Sequence, residues 1–265
     1  MPLPQHTLRD IDLEIKKATY FLVRLESRVS KPFAIIDGNK IRGFRFAQPN
    51  ATNYVVLNVS RGISLLNAMN LLRHGGFKGE LAILARGLME NTSKLSYVIG
   101  GMSRSGIDRK TREFIADFFA DNDRDISRRS RFKPISQKDI NRRNSENVTR
   151  DIAFNKEFGM PVDIDNDNDQ YEKMMSNLYN EFSNHVHGRY PEMMDIYGEK
   201  STRLLTNGNL ESEDIDRDTD LEFLLLLASG ITKGLRTALL SLNVCGLIKL
   251  DTEEMNFCMG NTIVA

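Results

Sequence analysis

The feature that most constrains this chain is a seam of apolar residues near its N-terminus. Leu8, Ile11, Ile15, Ala18, Leu22, Leu25 and Val29 follow one another at alternating spacings of three and four. An α-helix completes a turn every 3.6 residues, so this spacing gathers them on one side of a helix. A strand would scatter the same residues over two faces. Asp10, Asp12 and Glu14 lie near the start, where the helix dipole favours acids, and Lys31-Pro32 marks the end. Such a seam can pack within its own chain or pair with a second copy as a coiled coil. Three heptads do not separate the two.

The helical period recurs along most of the sequence. Helices are expected from Thr52 to Arg73, ended by His74-Gly75-Gly76, and from Lys78 to Ile99, ended by Gly100-Gly101. A third runs from Asp108 to Ala120 with Phe114, Ile115, Phe118 and Phe119 on its apolar side. Further on, Met174, Leu178, Phe182 and Val186 mark a helix from Asp169, and a last long one spans Asp220 to Leu242. The stretch around Gln137 to Asn155 reads as loop or surface helix. Gly159–Asp169 and Glu211–Asp220 read as acidic linkers, and the tail after Asp251 as loosely held.

Phe33 to Phe46 breaks the pattern. Two short strand-like runs flank Asp37-Gly38, the signature of a β-hairpin. The expected fold class is therefore all-α with a small β-hairpin insertion. The expected division is an N-terminal helix and hairpin (1–50), a helical bundle (51–250) and a C-terminal tail (251–265).

Composition narrows the class further. The 265 residues suffice for one large helical domain or a domain with an appendage. Lys+Arg and Asp+Glu both number 36, so the net charge is zero, but the charge is unevenly placed. Arg124–Arg150 holds nine Lys/Arg and three Asp/Glu, whereas Glu157–Glu222 holds five against seventeen. The basic block could attract nucleic acid, or both blocks could be solvated faces. Cys245 and Cys258 are too few for a disulfide framework or a zinc site, and read as free thiols of a reducing, cytoplasmic compartment. Met1-Pro-Leu-Pro-Gln-His lacks the basic and apolar regions of a secretory leader. Lys233 and Arg236 interrupt the most apolar segment, Leu221–Leu250, so it reads as a buried helix and no membrane is expected.

Two metal patterns fail on spacing. Asp163, Asp165, Asp167 and Asp169 imitate the start of a calcium loop. Asn168 then stands where that loop needs Gly, and Met174 where it needs a bidentate Glu. His185 and His187 are two apart, not four, and so diverge on a helix. No metal and no cofactor is expected.

Arg86 and Glu90 are more informative. They stand four apart in the apolar run Leu81-Ala-Ile-Leu-Ala-Arg86-Gly-Leu-Met-Glu90, so they share a helix face beside residues expected in the core. A charge there needs a partner. Either the pair neutralises itself, or it orients a third polar group in a cleft. Tyr179, Ser183 and His187 are also spaced by four, on a second helix. Packed against the first, they would make a polar pocket in which His187 serves as acid or base near neutral pH.

At these residues the chain resembles a broad group of bacterial and archaeal helical proteins of uncharacterised function. They share an R-x-x-x-E helix, matched by Arg86 and Glu90, and a Y-x-x-[LF]-S-x-x-x-H helix, matched by Tyr179, Phe182, Ser183 and His187. That group looks like a distant branch of the HEPN superfamily. The resemblance spans about Thr52 to Leu242 and implies an HEPN-like helical bundle. It also implies a homodimer with its cleft at the interface, and metal-independent ribonuclease action in toxin–antitoxin or antiviral defence systems. The chain departs from the HEPN nuclease pattern of Arg and His on one helix four to six residues apart. Arg86 would have to supply its guanidinium from a different helix.

In the ribonuclease reading His187 is the general acid/base, Arg86 stabilises charge on phosphate, Glu90 orients Arg86 or His187, and Ser183 and Tyr179 supply hydrogen bonds. Arg128, Arg129, Arg131, Arg142 and Arg143 are expected to hold the backbone of an RNA partner. The alternative is a non-catalytic helical interaction or regulatory module, whose N-terminal seam and acidic linkers bind a protein partner from the same gene neighbourhood.

Overall fold

A computed structural model describes residues 5–46, 50–74, 78–119, 136, 138–144 and 215–260. The chain is mostly helical. In order come α1 (Gln5–Glu26), β1 (Phe33–Asp37), β2 (Lys40–Arg45), α2 (Ala51–His74), α3 (Lys78–Gly100), β3 (Met102–Ser103), β4 (Gly106–Ile107) and α4 (Arg109–Phe119). They are followed by α5 (138–144), α6 (Ile215–Val244) and α7 (Thr252–Cys258).

The apolar periods decide the packing. Ile11, Ala18, Leu22 and Leu25 of the α1 seam are buried together with Phe21, and α1 lies against α2 and α6. The seam is thus filled from within the chain rather than by a coiled-coil partner. On α6, Leu224, Ala228, Ile231, Leu235, Ala238 and Leu242 recur at three and four and are all buried. Its polar side carries the exposed Lys233.

Both α2 and α6 pack against all three of the other long helices among α1, α2, α3 and α6. Both contain a stretch, Ala51–Leu72 and Leu224–Val244, long and apolar enough to cross a membrane. Here these stretches form the middle of the core. Close approach between them is set by Gly62, where an added Cβ would lie 2.5 Å from the Ile231 side chain.

A buried polar bridge fixes the register of α2 on α3. Asn91 Nδ2 donates to the Asn58 carbonyl oxygen at 2.8 Å and to its side-chain oxygen at 3.0 Å. In return Asn58 Nδ2 donates to the Asn91 carbonyl oxygen at 3.3 Å and to the Tyr54 hydroxyl at 3.2 Å. Burial holds the Tyr54 hydroxyl well above its ordinary pKa, so it stays protonated in this network.

The expected hairpin is present. β1 and β2 pair antiparallel from Phe33↔Arg45 to Asp37↔Lys40, with Gly38 at φ 60° in the turn, where a glycine fits without strain. Ile35 pairs Gly43 while Ile36 pairs Ile41, so Arg42 is an extra residue in β2 and makes a bulge. The smaller hairpin β3–β4 was not expected from the sequence.

Two expectations are corrected. The last long helix begins at Ile215 rather than Asp220, so part of the expected acidic linker is helical. The tail after Asp251 is tied down through Cys258. Asp251 caps α7 by accepting from the Glu254 N–H, while Glu254 accepts from the Asp251 N–H, a reciprocal box. Phe257 is fully buried and stacks on Phe21 at 3.9 Å.

Arg28 grips the buried Glu254 carboxylate with one nitrogen at 2.6 and 2.7 Å, and Arg24 adds contacts to Asp251 and Glu253. That network clamps α7 to the end of α1. Cys245 and Cys258 are free thiols. Burial pushes the Cys258 thiol up to about 12, which keeps it protonated and unreactive at neutral pH.

Candidate functional site

The site begins on α3. Ala85 and Leu88 are buried in the core, and Arg86 and Glu90 follow them along the helix, at its border with solvent. Arg86 Nε donates to Glu90 Oε1 at 3.2 Å. The Arg86 side chain keeps 17% of its surface exposed and Glu90 32%, so the pair straddles the border between core and solvent. The expected burial of the surrounding run is only partial, because Ile83, one turn before Arg86, is 46% exposed.

The next residue, Asn91, is the one locked to Asn58. The backbone beneath the pair is therefore fixed by hydrogen bonds to α2. The arrangement thus holds a partly desolvated guanidinium in a defined place.

Tyr179, Ser183 and His187 lie outside the described residues, as do Arg128, Arg129 and Arg131, the calcium-like 163–169 segment and His185. Of the expected cluster, the described structure brings together Arg86 and Glu90.

The two described members of the basic block behave differently. Arg142 is exposed, with Asp139 at 3.5 Å. Arg143 turns into the fold. Its Nη1 donates to the buried Thr111 hydroxyl at 2.6 Å and to the Tyr97 carbonyl oxygen at 3.2 Å. Its Nη2 lies 3.2 Å from Asp108, and its guanidinium sits 4.0 Å over the Tyr97 ring. A phosphate would have to displace these contacts.

The clasp joins α3, α4 and α5 around Gly101. An added Cβ there would lie 1.8 Å from the Thr111 hydroxyl, so only glycine lets the parts meet. The sequence held one signal for it. Ile140 is the buried apolar residue of α5, and Arg143 and Asn144 follow at three and four, on the same inward face. Asn144 accordingly donates to the Ser93 carbonyl oxygen of α3 at 3.2 Å.

No protein-family model, curated protein or solved structure matches this chain.

Proposed function

We propose that this chain is a cytoplasmic, HEPN-like effector or accessory protein of a bacterial defence or toxin system, acting as a homodimeric, metal-independent ribonuclease. The observation that supports this reading is the placement of Arg86. A cation anchored through Nε on Glu90, partly withdrawn from water but still reachable, suits stabilisation of the negative charge that develops on a phosphate under attack. In this mechanism His187 takes the proton from a ribose 2′-hydroxyl as its oxygen bonds to phosphorus. The P–O5′ bond breaks, and the departing oxygen receives a proton. Glu90 orients Arg86, Tyr179 and Ser183 hydrogen-bond the substrate, and the exposed Arg142 with Arg128, Arg129 and Arg131 attracts the RNA backbone.

One observation favours the alternative, a non-catalytic interaction or regulatory module. Arg143, a member of the basic block, serves the fold. The test is cleavage of single-stranded RNA in excess chelator by the wild type, Arg86→Ala and His187→Ala, with thermal unfolding of each. The ribonuclease reading expects cleavage by the wild type, lost in both folded variants. Cleavage that persists in both removes the mechanism. A wild type that cleaves nothing, with a His187→Ala variant changed only in stability, supports the interaction module.

A further inference from the structure

We infer that the buried Asn58–Asn91 bridge is a positioning device for Arg86: it holds α3 in the one register on α2 that sets where the guanidinium stands. The position of Arg86 is a property of the fold, whereas its effect on rate rests on the ribonuclease reading.

The two amides interrupt buried apolar series. On α2, Asn58 stands between Val55 and Val59, and on α3, Asn91 stands between Leu88 and Leu95, at spacings of one, three and four. A leucine has as many heavy atoms as an asparagine and would continue either series. Replacing both partners of a buried hydrogen bond by apolar groups of the same shape is close to neutral for stability. The amides are therefore not what makes α2 and α3 adhere. What they add is direction.

Apolar contacts tolerate a small slide of one helix on another, whereas hydrogen bonds weaken steeply when stretched or bent. Asn91 Nδ2 spans the carbonyl and side-chain oxygens of Asn58 at 2.8 and 3.0 Å. Asn58 Nδ2 spans the Asn91 carbonyl oxygen at 3.3 Å and the Tyr54 hydroxyl at 3.2 Å. A slide by the rise of one residue, about 1.5 Å, would break the three bonds that cross between the helices. Gly62, one turn beyond Asn58, keeps the space clear, since a Cβ there would lie 3.5 Å from Asn91 Nδ2. Asn91 directly follows Glu90, so the tether acts at the Arg86–Glu90 pair itself. A misplacement of about 1 Å at a reacting centre can cost about 10²-fold in rate. The bridge thus governs rate without touching substrate.

The triple variant Tyr54→Phe/Asn58→Leu/Asn91→Leu removes all of these side-chain hydrogen bonds and strands none of their amides. The readouts are the Arg86 Nε–H resonance, assigned by its loss in Arg86→Ala, and the kinetics of RNA cleavage. The expected variant is folded, with an Arg86 resonance that is shifted and exchanges faster with water. Its kcat should fall about tenfold or more while KM stays within about threefold. Thr111→Val, which loosens the Arg143 clasp instead, should change neither. An unmoved resonance in the triple variant overturns the inference, as does an equal change in Thr111→Val. Unchanged kcat beside a wild type that cleaves overturns it as well. A resonance that moves while neither protein cleaves RNA supports the positioning and removes the ribonuclease reading. If the triple variant does not fold, Tyr54→Phe decides. It removes only the hydroxyl that accepts from Asn58 and should move the resonance in the same direction by less, whereas an unmoved resonance overturns the inference.

Discussion

Two arginine–carboxylate pairs in this molecule look alike on paper and differ in kind. Arg28 and Glu254 are far apart in sequence, and the Glu254 carboxylate is buried to 1% exposure with the guanidinium against both of its oxygens. Arg86 and Glu90 are one helical turn apart, joined through Nε, and both keep contact with water. Removing Arg28 would strand a buried charge. Removing Arg86 would leave a carboxylate that water still reaches. The first pair therefore serves attachment of α7, whereas the second holds a partly exposed cation at the border of the core. A cation held in a defined place at that border is where function can be sought.

The largest effects should come from the α7 corner. Phe257→Ala removes a fully buried ring stacked on Phe21 and beneath the Arg236 guanidinium, 4.9 Å away. It should cost about 3–5 kcal/mol in urea unfolding. Arg28→Ala should approach about 3 kcal/mol, the lower end of the range for breaking a buried pair, because Arg24 remains 3.5 Å from Glu254. If Arg28→Ala changed stability no more than Arg86→Ala, the distinction between the pairs would collapse.

The middle of the range belongs to helix spacing. Gly62→Ala drives a methyl group into Ile231 and should destabilise by about 1–3 kcal/mol, read as a lower urea midpoint at unchanged slope. A smaller effect should follow pH. The backbone N–H of Glu254, with Arg24 and Arg28 nearby, holds the Asp251 carboxyl below its ordinary range. A depressed pKa means the folded state favours the charged form. Its stabilisation is present above the usual carboxylate pKa of about 4 and fades as pH falls through the lower folded value. Hydrogen exchange of the α7 amides should accelerate on acidification, earlier than that of the α2 amides. Arg86→Ala should be milder than Arg28→Ala, because the Glu90 carboxylate it leaves behind is still reached by water.

What the sequence disclosed follows from the range of the forces. The α1 seam, the Asp37-Gly38 hairpin and the helices α2, α3 and α4 are written in local periods and turn residues, and they appear within a few residues of expectation. The Arg86–Glu90 pair was legible for the same reason, since one helical turn brings the two together. The α7 dock was not, because its partners Phe21, Arg24 and Arg28 lie at the other end of the chain. The Asp251-x-x-Glu254 box was the available hint. The inward contacts of Arg143 with Thr111, Tyr97 and Asp108 were not legible either, because a basic block suggests solvent while these contacts depend on tertiary packing. A meeting of Arg86 with His187 would likewise be tertiary, and His187 lies outside the described residues.

The most direct test of the central claim compares Arg86→Ala with the wild type in chelated buffer, measuring RNA cleavage rate and unfolding free energy on the same preparation. The account predicts a rate lower by about 10²–10³-fold, the usual effect of removing one group that stabilises the transition state, with a stability loss smaller than that of Arg28→Ala. An unchanged rate, or a stability loss as large as that of Arg28→Ala, would contradict it.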